Sequence, residues 1–308
     1  MRTFHTYIQK IHSLKQEYKD KKFFFSSLQS LLFTLSPYIR LGCEYKHKCI
    51  NQYLQQKFTI SLDLPKGKQV TTISDDSAIW ILWYQGEDKM PPIVKTCVSS
   101  IRRNAGKHKV IFLDETNIHH YITLPQYIID KKNNGTITLT HYSDIIRMAL
   151  LSQYGGFWID ATVFITSPIT SYSTPFYSIK QYKKYKRFIA DGNKWTAFFL
   201  AVGKNDPISL YVYKLFLAYW KKENAMIDYF LVDYALNIAF NMFPSIKTAI
   251  DNIPCDNNNI YVMKKHLNDT YTPSLWKNLS KQQYGAPDKP CGVGRADANP
   301  KTMLPNDT

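Results

Sequence analysis

The sequence predicts an α/β domain built on a mainly parallel sheet, and three stretches predict it. Residues 78–84 form an unbroken apolar run, Ala-Ile-Trp-Ile-Leu-Trp-Tyr, closed by Gln85-Gly86, which is the pattern of a strand buried on both faces. Residues 108–113 form a second such strand and end at Asp114. Residues 140–154 have helical spacing, stop at Gly155-Gly156 and pass at once into Phe157-Trp158-Ile159. Strands alternating with helices over short loops indicate parallel crossovers. Ligands of such sheets sit at the carboxyl ends of the strands, and Gln85, Asp114 and Asp160 all fall at or near such ends.

In chain order, the first 70 residues differ from the rest. They carry twelve Lys/Arg against four Asp/Glu, more than half of the excess positive charge of the whole chain. Tyr7, Ile8, Ile11, Leu14 and Tyr18 have helical spacing, residues 23–35 read as a second helix ending near Pro37, and residues 44–56 as a third. Such a basic, aromatic segment can lie on an anionic leaflet. It can equally pack on the main domain with its lysines in water. The two outcomes are compatible, and residues 64–68 read as the linker that follows.

From Ser74 onward the elements alternate. After the strand at 78–84 comes a helix over 91–104 with proline near its first turn. The strand at 108–113 leads into short helices at 115–121 and 125–132, then the helix at 140–154 and a strand over 157–165. Residues 197–202 read as a further strand, and 207–221 and 227–240 as aromatic-rich helices. Residues 251–259 read as loop. From residue 285 to the end Gly, Pro, Asp and Asn recur, and an irregular tail is expected.

Composition bounds the function. The chain has 308 residues with 44% hydrophobic and 20% charged side chains, which suits a globular fold and excludes a disordered one. Lys and Arg number 39 against 24 Asp and Glu, a formal charge of +15 that favours a polyanionic partner. The five cysteines have no CxxC pair or zinc-like spacing. The apolar stretch at 23–35 is interrupted by Ser, Gln and Thr and is shorter than the roughly 20 residues of a spanning helix.

The chemistry-bearing segment is Ser143-Asp144-x-x-Arg147 followed by Gly155-Gly156-x-Trp158-x-Asp160-Ala161-Thr162. Asp144 and Arg147 are three apart on a helix and share one face. Asp160 follows an apolar half-strand, where an unpaired carboxylate is costly to bury, so it is expected to face a cleft.

These motifs, with Trp80-Ile-Leu-Trp83-Tyr-Gln85-Gly86, the following Pro91-Pro92 and the later residues 227–234, resemble the capsular polysaccharide synthesis proteins. These are retaining sugar transferases of the GT-A type, related to the initiating mannosyltransferases. The likeness spans roughly 79–240, and its specificity lies in the order and spacing of the pieces. It implies a GT-A, Rossmann-like nucleotide-sugar transferase fold over 71–284, behind a basic helical segment at 1–70 and before an irregular tail at 285–308. It also implies a metal-dependent hexosyltransferase that takes a nucleotide-sugar donor, a UDP-sugar by preference.

The resemblance gives residues their expected roles. Asp144 and Arg147 would grip the donor, the carboxylate accepting from sugar hydroxyls and the guanidinium donating to sugar or phosphate oxygens. Asp144, Arg147 and Asp160 are the catalytic set. Trp80, Trp83, Gln85 and Asp114 would border the nucleotide. A divalent cation, Mn2+ or Mg2+, would offset the diphosphate. Relatives hold it with Asp-x-Asp, whereas this chain has Asp160-Ala161-Thr162, so Asp160, Thr162 and His266 are the candidate ligands. Lys194, Trp195, Asp228 and Asp233 would border the acceptor, expected to be a lipid-linked oligosaccharide. An anionic membrane surface is the expected partner and the inner face of the membrane the expected place, with no nucleic acid bound. Two other classes stay open: a catalytically silent sugar-binding protein of the same fold, and a nucleic-acid-binding protein, which charge and aromatics suggest but no motif supports.

Overall fold

A computed structural model describes residues 40–62, 70–180, 194–255, 260–267, 269–270, 272–274 and 293–295. The helices expected at 7–18 and 23–35, the linker at 64–68 and most of the expected tail lie outside the described residues.

The first described element is helix α1, Arg40–Lys57, which contains the helix expected at 44–56. It is built into the main core: Ile50 and Leu54 are fully buried and Phe58, just beyond its end, is nearly so. Strand β1 (Ile79–Leu82) is buried along its length, as its unbroken apolar run requires. Helix α2 (Pro92–Arg103) starts on a proline, whose fixed φ suits a first turn and whose missing N–H costs nothing there. Strand β2 (Val110–Leu113) follows, then α3 (Gln126–Asn133) and α4 (Leu139–Tyr154).

Helix α4 is apolar on most of its circumference, with Ile145, Ile146, Met148, Ala149, Leu150 and Leu151 all buried. A helix of that kind belongs inside the molecule, and α4 packs along α5 (Pro207–Lys222). Thr138 caps it by accepting a hydrogen bond from His141 N at 3.2 Å. At its other end, Gly155 (φ 66°) and Gly156 (φ 96°) turn the chain directly into strand β3, Gly156–Ile159. A Cβ on Gly156 would lie 2.3 Å from the carbonyl oxygen of Ala78, so the join of α4 to the central strand admits no side chain.

The sequence suggested one strand over 157–165. The structure has two, β3 and β4 (Val163–Ile165), separated by a turn at residues 160–162 in which Val163 N donates to Asp160 O at 2.9 Å. Strand β4 leaves the main sheet and packs on α2. There Ser100 Oγ accepts from Ile165 N (2.9 Å) and Asn104 Nδ2 donates to Ile165 O (3.1 Å). The remaining elements are β5 (Phe176–Ser178), β6 (Phe199–Val202), α6 (Leu231–Met242), α7 (Pro244–Asn252), α8 (Val262–Lys265) and β7 (Val293–Arg295).

Among the described residues the main sheet has the order β2-β1-β3-β6-β5. β1 runs parallel to β2 (Ile79 opposite Val110) and to β3 (Ile79 opposite Phe157). β6 is antiparallel to β3 and to β5. The expected α/β class is therefore present, with a mixed sheet whose parallel half carries the helical crossovers. Within 285–308, expected to be irregular, residues 293–295 form β7 and pair antiparallel with β4. The helix expected over 227–240 begins at Leu231, because Asp228 Oδ1 accepts from Phe230 N (2.9 Å) and forms a turn before it. Residues 244–252, unassigned from the sequence, form α7, so the loop expected at 251–259 starts two residues late.

Candidate active site

The edge between α4 and β3 concentrates the charge. Arg147 is fixed from both sides: Nη1 forms an ion pair with Asp144 Oδ1 at 3.2 Å on its own helix, and Nη2 donates to Asp160 Oδ1 at 3.1 Å across the turn. The side chains of Arg147 and Asp144 are 6% and 9% exposed and that of Asp160 is 26% exposed, so the group opens to solvent at Asp160. Trp158 Nε1 donates to the same Asp160 Oδ1 at 2.7 Å, and the Arg147 guanidinium lies 5.1 Å from the Trp158 ring centre. Two donors thus hold Oδ1 and leave Oδ2 for a ligand. The Arg147 Nε is buried with no partner among the described residues, which leaves one further donor in the group.

The site follows from local sequence. Asp144 and Arg147 meet because they are three apart on a helix. Asp160 reaches Arg147 because the two glycines bring β3 back directly from the end of α4. Trp158 and Asp160 are two apart along the strand and share a side. The break at 160–162 puts Asp160 at the carboxyl end of β3, where parallel sheets place their ligands.

Behind this group, on α4, His141 Nδ1 lies 3.3 Å from Asp144 Oδ2, and its ring is buried against Phe216 and Trp220 of α5. Sequence reasoning overlooked His141 and gave no role to Trp158, although it stands in the quoted motif. The i, i+3 spacing of His141 from Asp144 and the i, i+2 spacing of Trp158 from Asp160 were the available signals.

The other candidates fall into separate places. Trp80, expected to border the nucleotide, is 2% exposed, donates Nε1 to Gly155 O (2.9 Å) and packs against the rings of Tyr121 and Tyr154. A ring buried this deeply has no free face to offer a base. Trp83 is half-buried at the carboxyl end of β1, and its buried Nε1 has no partner among the described residues. Gln85 is exposed just beyond it. Asp114 ends β2 and closes its own turn, accepting at Oδ1 from Thr116 N (2.8 Å), Thr116 Oγ1 (2.6 Å) and Asn117 N (3.2 Å).

Asp233 of α6 accepts from Trp195 Nε1 at 2.8 Å. Burial raises its carboxyl from 3.8 to about 6; the Trp195 hydrogen bond opposes that shift, the Asp144 charge adds to it and the Arg147 charge opposes it. Asp233 therefore feels the field of the central group. Lys194 donates to Asn237 Oδ1, and its ammonium lies 5.0 Å from the Phe240 ring centre. Asp228 is committed: Oδ2 pairs with Lys46 of α1 at 2.5 Å while Oδ1 holds the turn before α6. Thr162 is half-buried in the turn after Asp160. His266, at the end of α8, pairs through Nδ1 with Asp269 at 2.7 Å. Among the described residues no group of three or more His, Cys, Asp or Glu is arranged to hold a metal ion.

Two curated fungal proteins match part of the chain. The O-glycosyltransferase braB of Annulohypoxylon truncatum is 31% identical over 102 residues, 30% of this chain and 24% of that protein. The O-glycosyltransferase PaGT of Phomopsis amygdali is 27% identical over 109 residues, 32% of this chain and 27% of that protein. The chain thus spans about a quarter of the length of these relatives. Among solved structures, the PaToxG glycosyltransferase superposes with a TM-score of 0.41 at 13% identity, covering 70% of this chain and 83% of that one, too distant a likeness to carry an argument. The family model described as capsular polysaccharide synthesis protein matches residues 33–285, which takes in α1, the whole main sheet and the Asp144, Arg147 and Asp160 group, and the chain belongs to that family.

Proposed function

We propose that the chain is a retaining hexosyltransferase of the GT-A type that takes a hexose from a nucleotide sugar, a UDP-sugar by preference, and passes it to a lipid-linked oligosaccharide during surface polysaccharide synthesis. The observation that carries this proposal is the buried Asp144–Arg147–Asp160 group at the carboxyl end of a parallel strand, in a chain of the capsular polysaccharide synthesis family. The two fungal relatives are named O-glycosyltransferases, which supports a hydroxyl oxygen as acceptor.

Asp144 accepts from hydroxyls of the donor sugar. Arg147, clamped and largely dry, directs positive charge at the departing phosphate oxygens as the bond from C1 to the leaving oxygen breaks. A charge fixed in advance in a low-dielectric site stabilises that departure at little reorganisation cost. In a front-face displacement the departing phosphate accepts the proton of the incoming hydroxyl while the new bond forms on the same face. Trp83, half-buried just beyond β1, is the base-side candidate, alongside Gln85 and Asp114. Trp195, Asp233 and Lys194 form the wall proposed for the acceptor.

A divalent cation fits this site as a one-carboxylate partner. Asp160 Oδ2 is open and Thr162 offers a hydroxyl nearby in the chain, with the remaining ligands to come from donor phosphates and water. His266 is already paired with Asp269. When bound, the ion would offset the charge of the diphosphate. The anionic membrane surface and its inner face belong to the proposal through the basic segment at 1–70. No helix among the described residues is long and apolar enough to cross a membrane.

The test is transfer itself. The purified chain is incubated with UDP- and GDP-hexoses and a lipid-linked oligosaccharide, and the product linkage is read by NMR. Retention at C1 with one UDP-hexose is the expected result. Inversion, or transfer from no donor while the protein is folded, would overturn the proposal.

A further inference from the structure

Asp144 has two oxygens and the donor sugar needs a fixed one. Oδ1 is taken by Arg147 at 3.2 Å, and a lone carboxylate on a helix would otherwise rotate about its terminal torsion, which is broad for such groups. Oδ2 faces His141 Nδ1 at 3.3 Å. His141 is 1% exposed, its ring centre is 4.9 Å from that of Phe216 and 5.6 Å from that of Trp220, and its backbone N–H is tied to the Thr138 cap. The imidazole is held by packing against α5, and the backbone that carries it by the cap of its own helix. Its Nε2 is buried and has no partner among the described residues. A proton on Nε2 would be an unsatisfied buried donor, whereas a proton on Nδ1 meets a carboxylate, so the environment selects the Nδ1–H tautomer.

We propose that His141 is a positioning residue for donor-sugar recognition, its Nδ1–H fixing the plane of the Asp144 carboxylate so that Asp144 meets the sugar hydroxyls while Arg147 stays in register with Asp160. The role rests on the transferase proposal, because it matters only where Asp144 touches a sugar. It adds a residue set one turn before Asp144, with no contact to the ligand itself.

The two amide variants separate positioning from packing. In His141→Asn the amide nitrogen falls near the place of Nδ1, and in His141→Gln near that of Nε2. UDP, UDP-glucose and UDP-galactose are titrated into each full-length variant, with thermal unfolding followed in parallel. For the UDP-hexose that the wild type binds, His141→Gln is expected to weaken affinity about tenfold, the size of one hydrogen bond to a charged group. UDP alone is expected to bind both variants as it binds the wild type, and His141→Asn to recover most of the UDP-hexose affinity. Equal losses in the Asn and Gln variants, or equal losses for UDP and UDP-hexose, would overturn the proposal. Nitrogen NMR of the wild type gives a readout free of any donor: the Nδ1–H tautomer is expected, perturbed in Asp144→Asn, and an Nε2–H tautomer would overturn it. Failure of the wild type to bind any UDP-hexose would sink the transferase proposal, while the NMR would still decide the state of His141.

Discussion

Two charged regions of the molecule each pair a carboxylate with a cation and use its oxygens differently. At the join of α4 and β3, Asp144, Arg147 and Asp160 share bonds so that one carboxylate oxygen and one guanidinium nitrogen are left over, and the group opens to solvent at Asp160. Where α1 meets the loop before α6, Lys46 pairs with Asp228 and His47 Nδ1 lies 2.9 Å from Tyr234 Oη. There both Asp228 oxygens are used, one for the ion pair and one for the turn. The contrast separates two acidic residues that sequence alone ranked together: Asp160, at a strand end, keeps one oxygen to spare, while Asp228 spends one oxygen on α1 and the other on the turn before α6.

The largest effect that would sharpen this contrast is at Arg147. Arg147→Ala leaves two carboxylates facing each other with no cation between them. Donor turnover is expected to fall by about a hundredfold or more, and the fold to lose about 3–5 kcal/mol, as when one partner of a buried ion pair is removed. Donor hydrolysis and urea unfolding measure the two. A variant with near-normal turnover would show that the group is structural, like the one at α1.

Asp233 stands between the two regions, and its pH behaviour distinguishes them. Its carboxyl sits at about 6 in the fold against 3.8 as the reference value. As pH rises from about 4 to about 6 the unfolded chain releases this proton and the folded chain keeps it. Wild-type stability therefore falls over that window through this group, and the full cost is present above it. Asp233→Asn keeps an acceptor for Trp195 and removes the ionisation. Its stability relative to wild type is expected to rise by on the order of 2 kcal/mol between pH 4 and pH 6 and then level off. A flat difference across that range would show that burial does not raise the Asp233 carboxyl.

The smallest effect is expected at the docking pair. Lys46, 21% exposed in its side chain, is partly screened by solvent, so Lys46→Ala should cost about 1 kcal/mol or less. A double-mutant cycle with Asp228→Ala reads the pair directly. A large coupling, or a change in sugar specificity on losing Lys46, would move the α1 contact into the site.

Much of the site half was legible in the sequence, because its determinants are local. The apolar runs at β1 and β2, the proline-led α2 and the glycine stop after α4 fall where periodicity and punctuation put them. The i, i+3 spacing of Asp144 and Arg147 was enough to put them on one face. The break of the strand at 160–162 was not legible, since Val163-Phe164-Ile165 continues the apolar pattern and the turn is enforced by the packing of β4 on α2 through Ser100 and Asn104. The antiparallel pairing of β5 and β6 was also hidden, because a three-residue strand carries little pattern of its own. Trp80 and Trp83 have the same residue type in the same run, and only the depth of each in the sheet separates a core ring from a candidate contact. His141 was missed because a histidine inside an apolar helix ordinarily reads as packing, although its i, i+3 spacing from Asp144 was there to be read.

The measurement that bears most directly on the transferase proposal is nucleotide release by the wild type and by Asp160→Ala across a panel of UDP- and GDP-sugars, with and without Mg2+ or Mn2+. Slow release of UDP from one UDP-hexose, raised by the cation and lost in the variant, is the expected result. Equal release by the two proteins, or none from any donor by a folded wild type, would contradict the assignment of Asp160 and its neighbours as the place where the donor bond is broken.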